Sequence, residues 1–107
     1  METQYQKVQR FQVEKLKVEI HPTREAVGTA AAMAAADVLK KLETESESIG
    51  VIFATGASQL DTLLALVNTP GLPWARVRGF HMDEYIGISA GHPGSFRHYL
   101  RENLTQK

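Results

Sequence analysis

Near the middle of the chain, Ile49 to Ala54 (IGVIFA) runs apolar without interruption and carries three β-branched side chains. A strand with one wet face would alternate apolar and polar residues. A continuous run of this length reads as a strand covered on both faces, and such strands belong to parallel sheets. Parallel neighbours cannot be joined by a tight turn, so helical crossovers must flank the run.

The sequence supplies them. Before the run, Thr23 reads as a helix N-cap with Glu25 in the first turn, where the helix dipole favours an anion. Ala26, Ala30, Ala34, Val38 and Leu42 recur every four residues and predict an amphipathic helix with a narrow, small-residue face. After the run, a second helix starts near Ser58, with Leu60, Leu63, Leu64 and Val67 as its stripe, and Asn68 to Pro73 (NTPGLP) stops it. Val77 to Met82 predicts another strand, and Ser95 a last helix with Phe96, Leu100 and Leu104 on one face. Upstream, Val13, Leu16, Val18 and Ile20 alternate with charged residues, with one slip, and read as an edge strand. Residues 1–12 read as a polar lead-in and 13–107 as one α/β unit. The resulting order, β-α-β-α-β-α, argues a parallel sheet with right-handed crossovers.

Composition narrows the function. With 12 acidic and 12 basic residues the chain has no net charge, and no basic patch points to nucleic acid. Its 107 residues contain no cysteine, which fits a reducing cytoplasm and excludes a thiol nucleophile or disulfide framework. The alanine-rich stretch from Ala26 to Ala36 is too short and too weak to span a bilayer, and the first residues lack a secretory pattern.

Ligands of parallel α/β sheets bind beyond the carboxyl ends of the strands. Two such ends carry chemistry. Thr55, Gly56, Ala57 and Ser58 join a strand to a helix, offering backbone N–H groups, two hydroxyls and a glycine that admits close approach of an anion. The same residues would also serve as an ordinary turn with Ser58 as N-cap, and Asp61 in the first helical turn opposes a dianion unless it points away. Asp83 and Glu84 follow the third strand. A carboxylate at the mouth of an apolar strand is partly desolvated, which suits a general base. The alternative is a solvated strand end, with Glu84 paired to Arg76, Arg78 or Arg97. Consecutive strand residues face opposite ways, so the two acids should not meet one substrate atom. His81 and Asp83 share a face but are too few for a metal site. His92 reads as a loop or cap residue, His98 as surface, and Trp74 as a packing anchor.

From Gly79 onward the string GFHMDEYIGISAGHPGSFRHYLRENL resembles the signature region of the glucosamine-6-phosphate deaminases (isomerases). IFATGAS stands where that family has its Thr-Gly phosphate loop, and the resemblance runs from Thr23 onward. The related 6-phosphogluconolactonases usually have Asp-Glu-Arg where this chain has Asp83-Glu84-Tyr85. The resemblance implies a Rossmann-like parallel sheet with flanking helices. It implies opening of an amino-sugar ring, transfer of a proton from C2 to C1, and release of ammonia to give fructose 6-phosphate. Asp83 takes the role of C2 base, and Thr55, Gly56, Ala57 and Ser58 that of phosphate cradle, with Glu84 a candidate substrate contact. Neither metal nor organic cofactor is needed for this chemistry, and the implied partner is a sugar phosphate.

Two departures qualify the match. Ala57 and Gln59 stand where many deaminases have glycine and proline. The chain is also shorter than the family's, and lacks a downstream Gly-Asp-Gly-His region that would supply the ring-opening histidine. The expectation is therefore the N-terminal part of such a domain, inactive by itself and prone to associate through uncovered apolar surface. A non-catalytic sugar-phosphate sensor and a lactonase-like hydrolase are the alternatives.

Overall fold

The computed structural model describes residues 8–107. Four strands and three helices follow in the order β1 (Gln9–Val13), β2 (Leu16–Ile20), α1 (Arg24–Glu43), β3 (Ile49–Phe53), α2 (Leu60–Val67), β4 (Val77–His81) and α3 (Phe96–Leu100). A 3₁₀ turn over Ala57–Gln59 leads into α2, another over Trp74–Arg76 leads into β4, and a wider π turn over Arg101–Thr105 extends α3.

β3 and β4 pair in parallel, with Ile49 opposite Val77 and Phe53 opposite His81. The α/β class and the parallel pair match the sequence reading. Met82 extends the ladder by one bond, its N–H donating to the Phe53 carbonyl at 2.9 Å. The Phe53 ring lies over Gly79, where an added Cβ would come within 3.3 Å of it.

The expected edge strand is a hairpin. β1 and β2 are antiparallel, with Val13 opposite Leu16, Phe11 opposite Val18, and Gln9 opposite Ile20. The slip between Val13 and Leu16 is a two-residue turn at Glu14 and Lys15, with Glu14 in the left-handed region at φ 55°. Gln9 to Gln12 are thus strand rather than lead-in, because Phe11 and Val13 continue the apolar alternation across the turn. Residues 1–7 of that lead-in lie outside the described residues. The hairpin is a separate two-stranded sheet and does not join β3.

Thr23 caps α1 as expected, its Oγ1 accepting from the Ala26 N–H at 3.1 Å. The buried face is not the one the four-residue spacing predicted. Gly28, Ala32, Ala36 and Leu39 are buried, whereas Ala34 and Val38 are exposed. The buried set keeps the four-residue step from Gly28 to Ala36, two positions off the expected row and so on the opposite side, and a three-residue step to Leu39 then offsets the drift of about 40° that each four-residue step brings. At Gly28 the contact with α2 is close: a Cβ there would stand 2.6 Å from the Asp61 Cβ and 2.8 Å from its carbonyl carbon.

On α2, Leu63 and Leu66 are buried, while Leu60 and Leu64 are exposed. Ala32, Leu39, Ile49 and Leu66 form one core cluster, and Phe53, Leu63 and Leu100 form another. Trp74 packs against both, the anchoring role expected of it. The expectation that β3 is covered on both faces is corrected. Ile49 and Phe53 are buried, but Ile52 is 65% exposed and shares its face with Phe80 and Met82, also exposed. Helices among the described residues cover one side of this pair.

Candidate functional site

Thr55 and Asp83 each stand two residues beyond the last paired positions of β3 and β4, Phe53 and His81. Because those strands are parallel and in register, the two residues leave the sheet at the same level on the same edge.

The 55–58 loop is held from two sides. Gly56 sits at φ 129°, a conformation that disfavours any side chain, and its carbonyl accepts from the Tyr99 hydroxyl at 2.6 Å and the Gln59 N–H at 3.0 Å. Burial pushes the Tyr99 hydroxyl above its ordinary pKa, so it remains a donor at neutral pH. The Ala57 carbonyl accepts from Arg24 Nη2 at 2.8 Å. The same guanidinium pairs with Asp61, Nε to Oδ2, at 2.7 Å. Ser58 is exposed. Thr55 Oγ1 is buried without a hydrogen-bond partner among the described residues. Buried hydroxyls are normally satisfied, so an orphaned one beside a strand end is a free polar atom at the loop.

The two acids part company. Asp83 is exposed. Glu84 turns back into the fold and caps α3. Its Oε1 accepts from the Tyr85 N–H and the Phe96 N–H, each at 3.0 Å. Its Oε2 accepts from Ser95 Oγ at 3.0 Å, the Arg97 N–H at 3.1 Å and Arg97 Nε at 3.0 Å. Desolvation alone would raise this carboxyl's pKa. The N–H groups of Phe96, Tyr85 and Arg97 and the Ser95 hydroxyl outweigh it and hold the group well below the usual carboxylate range. Ser95, itself buried, accepts from the His98 N–H at 3.3 Å and is the expected cap.

Arg97 also donates through Nη2 to the Ile88 carbonyl at 2.5 Å, and the Tyr85 and Phe96 rings meet at 5.0 Å between centroids. The loop from Tyr85 to Gly94 is thereby closed at its root. His92 Nδ1 accepts from the Gly94 N–H at 2.9 Å, the loop role read from the sequence. His98 pairs with Glu102 at 3.1 Å.

Sequence reasoning singled out Thr55 to Ser58 and the two acids as candidates, and the fold brings both segments to one edge. It missed Arg24 and Tyr99, which hold the loop from distant positions and carry no local signal.

A parallel β-α-β unit with a hydroxyl-bearing turn and a carboxylate on one sheet edge defines a class, the α/β proteins that bind ligands at strand ends. Comparison with known proteins makes this more specific. No family model matches the chain. Over 95 residues it is 33% identical to the glucosamine-6-phosphate deaminase of Arthrobacter sp. (strain FB24), covering 86% of this chain and 35% of that protein. Over 75 residues it is 35% identical to the glucosamine-6-phosphate deaminase of Pseudarthrobacter chlorophenolicus, covering 68% of this chain and 29% of that protein. A Neisseria gonorrhoeae crystal structure assigned to the 6-phosphogluconolactonases superposes with a TM-score of 0.71 at 26% identity, over 77% of this chain and 35% of that one. The chain thus spans about a third of the length of the relatives it matches. The resemblance to the glucosamine-6-phosphate deaminase family is borne out, as part of a domain with the 6-phosphogluconolactonase-type fold.

Proposed function

We propose that the protein carrying this chain is an amino-sugar-phosphate isomerase of the glucosamine-6-phosphate deaminase type. Asp83 is the base that takes the C2 proton of the opened sugar. Thr55, Gly56, Ala57 and Ser58 cradle the phosphate, with Thr55 Oγ1 and the loop N–H groups as donors. Glu84 serves as the anchor of the loop behind Asp83, since its carboxylate already accepts from five protein donors. The proton returns at C1, water adds at C2 of the resulting imine and supplies the ketone oxygen, ammonia leaves, and fructose 6-phosphate results. The observation that carries this reading is the in-register pair β3 and β4, which brings Asp83 and Thr55 off the sheet side by side.

The 107-residue chain alone should turn over little substrate. A base and a cradle without a ring-opening acid lack much of the positioning on which such rates depend. The working protein is expected in the cytoplasm, and no helix among the described residues is long and apolar enough to cross a membrane.

The test is release of ammonia from glucosamine 6-phosphate by the protein that contains this chain. Asp83→Asn should lower kcat by roughly 10²–10⁴-fold, the usual worth of a general base. An unchanged rate in that variant would remove Asp83 from the mechanism. The solved neighbour favours one second reading, hydrolysis of 6-phosphogluconolactone. Turnover of that lactone in place of the amino sugar would select it. Tight binding of sugar phosphates with no turnover of either would select a sensor.

A further inference from the structure

Asp61 poses a problem for the cradle. It lies in the first turn of α2, beside the loop that is to hold a dianion. A carboxylate there opposes both the helix dipole and the ligand. Its Cβ packs close to Gly28 of α1.

Arg24 answers this from the neighbouring helix. It stands one turn before Gly28 on α1, so the two residues share a face. Its Nε meets Asp61 Oδ2 at 2.7 Å, and its Nη2 donates to the Ala57 carbonyl at 2.8 Å. The guanidinium therefore does two things with separate nitrogens. It cancels the only carboxylate in the first turn of α2, and it ties down a loop carbonyl that would otherwise be free to turn toward an anion. A lysine could cancel the charge but lacks the planar fork that reaches both acceptors. As a stability device the pair is weak, since the Arg24 side chain is 64% exposed and surface ion pairs contribute little. Its weight falls on the field at the loop.

We infer that Arg24 is a positioning residue for anion binding at the 55–58 loop, acting by neutralising Asp61 and fixing the Ala57 carbonyl. The inference rests on the proposed phosphate role of that loop. It assigns a function to the amino end of α1, which touches the loop.

Calorimetric titration of the protein that contains this chain with inorganic phosphate, and separately with glucosamine 6-phosphate, tests it through a double-mutant cycle. Arg24→Ala should weaken phosphate binding by roughly tenfold at low ionic strength, and by less at high salt, because a bare charge near the surface is screened. Asp61→Asn alone should leave binding unchanged or tighter. The double variant Arg24→Ala/Asp61→Asn should recover most of the loss, and Arg24→Lys should recover only part of it. A purely structural role for Arg24 predicts no such rescue.

Equal losses with and without Asp61→Asn would overturn the inference while leaving the cradle intact, as would an Arg24→Ala variant that binds like the parent. A parent protein that binds neither probe would overturn the cradle and the inference together. Circular dichroism melting of each variant separates lost binding from lost folding.

Discussion

The charge on Glu84 is answered by four donors from one short segment, Ser95 to Arg97, and by the N–H of its own neighbour Tyr85. Its native pKa is depressed, so its contribution to stability is fully present above the unfolded value of about 4.3. That contribution is lost as pH falls toward the native value. Glu84→Gln would set an amide NH₂ against backbone N–H groups and should lower the midpoint of denaturant unfolding at pH 7. The gap between variant and parent should narrow steadily from pH 5 to pH 3. A gap independent of pH over that range would show that the negative charge is not what α3 requires. Asp83, one residue earlier, is exposed and has no such partners among the described residues, a contrast that fits its proposed role as base. The adjacent pair is thus tolerated for two reasons, one acid turned inward as a cap and the other left in the open.

Elements meet most closely where α1 crosses α2. A methyl group at Gly28 would overlap Asp61 side chain and backbone, so backbone must move to admit it. Gly28→Ala gains about 1 kcal/mol of helix propensity, yet overpacking of this kind costs about 1–3 kcal/mol. The net result expected in urea unfolding is a loss of stability, and a gain would mean that the two helices are free to separate.

This contact was not legible in the sequence, where Gly28 reads only as an interruption of an alanine run. The helix itself was legible from Thr23 and the apolar spacing, but its buried face was misjudged because small residues surround it on most sides and give a weak direction. The hairpin was hidden for a related reason. Glu14-Lys15 lacks the Asn-Gly or Asp-Gly signal of a two-residue turn, and the polar residues of β1 mask its alternation. The strand ends at Thr55 and Asp83 were legible because Thr55 directly follows the apolar run 49–54 and Asp83 follows the alternation of Phe80 and Met82 with His81. Arg24 and Tyr99 were not, since only the folded chain brings them to the loop.

For the whole molecule, the uncovered sheet face is the feature with consequences. Ile52 and Met82 are each 65% exposed and Phe80 56%, all on one side of β3 and β4. Phe11, Val13, Leu16 and Ile20 of the hairpin are also largely exposed. Apolar surface of this kind drives association. Sedimentation of the isolated chain should show apparent mass rising with concentration, and Ile52→Lys with Phe80→Gln should reduce it. A chain that stays monomeric at high concentration would show that these residues find cover within one copy.

The ring of Phe53 resting on Gly79 acts as an index mark between two rails. Sliding β4 by one residue would displace Asp83 about 3.3 Å along the sheet relative to Thr55, comparable to the length of a hydrogen bond. It would also drive the aromatic ring into a neighbour with a side chain. The spacing between the proposed base and the proposed cradle is therefore gauged at a bare glycine, some distance from either, and a larger residue at position 79 would throw the instrument out of alignment without touching Asp83 or Thr55.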